Sequence, residues 1–170
     1  MKKPFELQSG EKVINDIKPL PVLKWYFFIT PSIGLFFFFI FFAWIPFVNL
    51  IFLPIILFIL AIVYLVARNR YSYQHYWITN QRILYRRGLL GYSIHSIPLE
   101  RVSDVIVSRS FLERIFGFGS VLVQSLAGQI TYGRRWGAEG SLLATPDPEG
   151  TQKLIFELIK KKRKTEKLTM

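Results

Sequence analysis

From Trp25 to Ala67 the chain runs 43 residues without one charged side chain, and eleven of its 16 phenylalanines lie there. A soluble helix keeps a polar stripe, and this stretch has none. Its length exceeds the roughly 20 residues that cross a hydrocarbon core. A buried core helix is the competing account. It fails because the other 127 of the 170 residues are too few to wrap so much apolar surface.

One straight helix of this length overshoots a bilayer about twofold. A break is therefore expected, and Pro46-Phe47-Val48-Asn49 supplies it: Pro46 disfavours continued helix and Asn49 suits a turn or an N-cap. The reading is a transmembrane helical hairpin over 23–67, with spans of about 23–45 and 50–67. Pro54 then falls in the first turns of the second span, where its missing N–H matters least. Trp25, Tyr26, Trp44 and Tyr64 fall where an aromatic belt is expected. A re-entrant hairpin that does not cross is the alternative.

Orientation follows from the basic residues. Lys2, Lys3, Lys12, Lys18 and Lys24 precede the hairpin, and Arg68 and Arg70 follow it. Both termini are expected on the cytoplasmic side of a cell membrane crossed twice. A cleaved signal peptide fits poorly, since the apolar stretch starts late and lacks a small-residue cleavage site.

Residues 1–22 read as a cytoplasmic N-terminal segment, 68–164 as a folded domain and 165–170 as a basic tail end. The chain after Ala67 holds 17 Lys/Arg against 8 Asp/Glu, so it carries +9 of the net +11. Strands are expected at Tyr71–Ile78, Arg82–Arg87, Tyr92–Leu99, Val102–Ser108 and Ser120–Leu126, with one or two weaker ones in Gly128–Ala144. Phe111–Phe116 reads as a helical turn closed by Gly117-Phe118-Gly119. Asp147 caps a last helix, about Pro148–Lys164, whose Leu154, Ile155, Leu158 and Ile159 form one apolar face. The fold class is a membrane-anchored α+β chain. Its domain is a six- or seven-strand antiparallel β-barrel or sandwich capped by a C-terminal amphipathic helix.

Several short motifs stand in a fixed order: Gly10-Glu11, Trp77-Ile78-Thr79-Asn80-Gln81-Arg82-Ile83, Arg87-Gly88, Ile97-Pro98-Leu99-Glu100-Arg101-Val102, and Phe111 to Gly119 with its Arg-x-x-Gly-x-Gly step. Together they resemble the bacterial pleckstrin-homology-like membrane-flanked domain family, over about residues 6–160. The resemblance implies a PH-like fold of two bent antiparallel sheets with a capping helix, preceded by two membrane helices. It implies no enzymatic activity and carries over no catalytic or ligand residues. Physically, these motif residues read as turn and folding signals rather than as a site.

No catalytic constellation is legible. His75 and His95 are the only histidines, neither has a carboxylate near it in sequence, and cysteine is absent. A metal cluster is not expected, and neither is a cofactor. Gly117-x-Gly119 lacks the remainder of a phosphate loop. What remains is positive charge. Lys160, Lys161, Lys162, Arg163, Lys164 and Lys167 form one cluster; Arg134, Arg135 and Trp136 form another in a Gly-rich loop over 128–140. Both are candidates for contact with anionic lipid headgroups, since a basic residue near an anionic leaflet gains about 1 kcal/mol. Nucleic acid is the least expected partner. The function read from sequence is a non-enzymatic binding or scaffold module, acting through a membrane protein partner or a second copy of itself. The alternative is an accessory subunit of a membrane enzyme or transporter complex.

Overall fold

A computed structural model of the chain describes residues 4–42, 46–125 and 140–168. Seven strands and four helices lie among them: β1 (Val13–Ile17), α1 (Val22–Phe42), α2 (Pro46–Ser72), β2 (His75–Thr79), β3 (Arg82–Gly88), β4 (Tyr92–Pro98), β5 (Val102–Ser108), α3 (Phe111–Ile115), β6 (Gly119–Ser125), β7 (Gly140–Thr145) and α4 (Pro148–Leu168). A single 3-10 turn, Leu99–Arg101, joins β4 to β5. The strands form two antiparallel sheets, β1-β2-β3-β4 and β5-β6-β7.

Both long helices are apolar all round. Residues 22–41 and 53–72 are each long and apolar enough to cross a membrane. Few of their side chains are covered: Ile33, Phe36, Phe37, Leu57, Phe58 and Leu65 are all about half exposed or more. The break falls earlier than the sequence implies, before Pro46 rather than across Pro46–Asn49. Pro46 opens α2 instead of following a span, because a proline at the first helical position loses no hydrogen bond. Pro54 therefore lies inside α2, and Asn49 in its first turn. At the other end α2 runs on to Ser72, where a strand was expected from Tyr71. The extension is held by side chains that favour no strand partner. The Tyr71 hydroxyl donates to the Pro19 carbonyl at 3.1 Å and the Ser72 hydroxyl to that of Arg68 at 2.9 Å.

The hairpin is not appended to the front of the domain but inserted into it. β1, from the segment read as separate, forms the edge of the first sheet. Its Asn15, Asp16 and Ile17 lie opposite Ile78, Trp77 and Tyr76 of β2. The end of that sheet nearest α1 and α2 is crossed by β7. Arg87 of β3 donates to the Ser141 carbonyl at 2.6 Å, and the Leu20 amide, just past β1, donates to the Ala144 carbonyl at 2.9 Å. Between them, the buried Tyr76 hydroxyl accepts from the Leu143 amide at 3.0 Å and donates to Gln74 at 2.7 Å.

The core lies between the sheets and under α4. It comprises Ile78, Ile83, Leu99, Val105, Val123 and Leu142 with others, closed by Ile155 and Ile159 from the expected face of α4. Asp147 caps that helix as its sequence predicts: its carboxylate accepts from the Gly150 amide at 2.9 Å. The strand expectations at 82–87, 92–99, 102–108 and 120–126 match β3 to β6 within a residue or so at each end. Within 128–144 only β7 is described, and residues 126–139 lie outside the described residues.

Burial pushes the Tyr76 hydroxyl up to about 12 from an ordinary value of 10.0. The folded state holds this proton more tightly than the unfolded chain. Its contribution is therefore intact below pH 10 and lost as pH rises towards 12. Tyr76→Phe is expected to cost about 1–3 kcal/mol by leaving the Leu143 amide and Gln74 without their buried partner. It should also flatten part of the alkaline limb. Urea unfolding of the full chain in detergent at pH 8 and pH 11, followed by tryptophan fluorescence, measures both.

Candidate functional site

Three of the motifs, Gly10-Glu11, Trp77 to Ile83 and Ile97 to Val102, meet at the end of the first sheet away from the long helices. Thr79 closes the β2–β3 turn: its hydroxyl oxygen accepts from the Arg82 amide at 2.9 Å and donates to the Arg82 carbonyl at 2.8 Å. Asn80 reaches back to the N-terminal segment. It accepts from the Lys12 amide at 2.8 Å and donates to the Gly10 carbonyl at 3.0 Å. Gly10 has φ +73°, a conformation that favours glycine. Arg82 forms a forked pair with Glu11, both contacts 2.9 Å, and also donates to the Glu6 carbonyl. The Glu11 carboxylate is fully buried. The motif residues are therefore a latch between the chain start and the first hairpin, in keeping with their reading as folding signals.

Two forces oppose at Glu11. Burial raises its pKa, but the hydrogen bonds from Arg82 and the Gln8 amide, with the Arg82 charge, outweigh burial and hold it below the usual carboxylate value.

One of the pairs the sequence does not foresee involves a histidine. β1 carries Asp16 to His75 on β2, a carboxylate–imidazole contact invisible to local sequence. The His75 ring also stacks on Trp77, 4.2 Å between centroids. His95 contacts the Ser93 hydroxyl at 3.1 Å and stacks on Tyr85 at 4.9 Å. Among the described residues no group of three or more His, Asp or Glu side chains is placed to hold a metal ion.

The basic cluster of α4 divides by face. Lys162 falls on the line of Ile155 and Ile159 and pairs with Glu100 at 2.5 Å. Glu100 lies in the turn after β4, whose Leu99 amide donates to Gln81 of the β2–β3 turn. The basic end of α4 thus sits at the latch end of the sheet, away from α1 and α2. Lys160, Lys161, Arg163 and Lys164 are exposed. Lys153 and Phe156, also exposed, share the outer face with Lys160 and Lys164. Sequence reading passed over these two, although their spacing of seven and four from Lys160 is the signal that finds them. The side chain of Lys167, and Arg134, Arg135 and Trp136 altogether, lie outside the described residues.

A family model for a bacterial PH domain matches residues 33–159, from within α1 to the apolar face of α4. No curated protein matches the chain, and no solved structure does.

Glu11→Gln leaves Arg82 without its counter-charge and is expected to cost about 3 kcal/mol. The wild-type pair stabilises above pH 4.5 and is lost as pH falls below it. The variant should therefore show a shallower acid limb in the same unfolding measurement.

Proposed function

The chain belongs to the bacterial PH domain family, and from that premise we propose that it is a non-enzymatic binding module fixed to a membrane by α1 and α2. The observation that carries the reading is the β1–β2 pairing across the two apolar helices. Strands that exchange hydrogen bonds lie on one side of any membrane, so the helices between them cross it an even number of times. The pairing also argues against α1 as a removable leader, since cleavage there would strip the sheet of its edge strand. Left in water, each exposed Phe or Leu of the helices would forgo about 1.5–3 kcal/mol of burial. Lys24, whose ammonium lies 4.9 Å from the Trp25 ring, and Arg70, 4.4 Å from that of Phe27, suit the basic, aromatic cytoplasmic boundary.

The contact surface of the module is the outer face of α4. It presents Lys153, Phe156, Lys160 and Lys164 around Glu157, with Lys161 and Arg163 beside them, to a surface of net acidic charge. Its place at the far end of the sheet favours a protein partner or a second copy of the chain. Contact of the tail with anionic headgroups is the second use of the same charge.

In bacterial cells the full chain is expected to stay in the membrane pellet after alkaline extraction. Ser9→Cys should react with a membrane-impermeant maleimide only after the cells are opened. Release into the supernatant, or labelling in intact cells, would contradict the anchor or its orientation. A photo-crosslinking phenylalanine analogue at Phe156 is expected to yield adducts of protein mass. Adducts with lipid alone would assign the basic face to headgroups.

A further inference from the structure

The sheet ends nearest α1 and α2 carry large apolar side chains that neither core uses. On the first sheet this end is the β3–β4 turn, since Gly88 pairs with Tyr92. The Leu89 carbonyl accepts a hydrogen bond from the Asn69 side chain, near the end of α2. Leu90 is 90% exposed, and Leu89 and Tyr92 are exposed beside it. On the second sheet it is α3. The Glu113 carboxylate reaches back to accept from the Ser110 amide at 2.6 Å, one half of a capping box. Gly117, at φ +70°, ends the turn, and Phe118 is buried with Leu23 of α1. The segment is thus pinned at both ends. Its Phe111, Ile115 and Phe116 are nevertheless 77%, 62% and 64% exposed.

Such placement is costly for a domain surface facing water and favourable at a lipid boundary. Both tips are tied to residues within two turns of the aromatic ends of the helices, Trp25 and Tyr64. Arg114, exposed on α3, and Arg68, exposed on α2, have stems long enough to reach headgroups from there.

We propose that the Leu89-Leu90 turn and α3 are two interfacial anchors that enter the headgroup–acyl boundary of the bilayer. The occupant of this surface is lipid, because both tips are tied to the ends of the two helices proposed to cross the bilayer. Two anchors on different sheets, with the helix pair as the third support, set the tilt of the domain on the membrane. This rests on the membrane reading above and adds to it where the domain itself meets lipid.

The chain has no cysteine, so single cysteines report cleanly. Leu90→Cys, Phe116→Cys, Phe37→Cys and Ser9→Cys variants of the full chain are labelled with an environment-sensitive fluorophore. They are reconstituted in phosphatidylcholine vesicles carrying nitroxide-labelled acyl chains. Labels at positions 37, 90 and 116 are expected to shift to the blue and be quenched. The label at Ser9, beside the latch, should show neither change. Quenching at 37 with 90 or 116 behaving like Ser9 overturns the anchors and leaves the membrane reading standing. No quenching at 37 overturns both.

Discussion

The chain before the two apolar helices and the chain after them must meet as neighbouring strands. That pairing of β1 with β2 is the constraint on which the other features rest. It brings Glu11 within reach of Arg82 and Asp16 within reach of His75. It sets Leu20 where β7 can bond to it, and so sets how the second sheet lies over the first. An ordinary tether between an anchor and a domain leaves their orientation free. Here both helix ends continue into paired strands through short connections, and a small apolar cluster of Leu23, Phe118 and Ala144 fills the junction.

Polar groups divide the labour at the two ends of the first sheet. At the latch end, Thr79, Asn80, Arg82 and Glu11 satisfy one another and the backbone of the chain start. At the helix end, the Tyr76 hydroxyl bridges the sheets and Arg87 reaches across to Ser141. Each polar network sits at a corner where strands alone leave hydrogen-bonding groups unpaired. Between the corners the core is aliphatic.

Local patterns were sufficient for β3 to β6, for the apolar face of α4 and for the Asp147 cap, because each depends on residues close in sequence. The hairpin was legible from its missing charges. Three features were not. β1 reads Val-Ile-Asn-Asp-Ile, too short and too polar to declare a strand without its partner. The extension of α2 through Arg68 and Ser72 depends on Tyr71 meeting Pro19, 52 residues apart in sequence. The split of the α4 lysines depends on Glu100, which local spacing cannot place beside Lys162. In all three the deciding contact is made by a residue from elsewhere in the chain. The candidate surface was thus readable as a charge cluster, but not as a face with an inside and an outside.

The insertion of the helices between β1 and β2 has a consequence for biosynthesis. β1 emerges from the ribosome first, yet its partner follows only after both apolar helices have been made. Until then its backbone groups face water along an open edge, and the first sheet has no nucleus on that side. Closing β1 onto β2 joins ends separated by the whole hairpin. For a free chain that carries a loop-closure penalty growing slowly with length. In a chain anchored as proposed, helices delivered to the bilayer as an antiparallel pair return the chain near its starting point and remove much of that penalty. On the proposed reading, membrane delivery precedes and templates the first sheet, so a failure of insertion becomes a failure of folding that quality-control proteases can recognise.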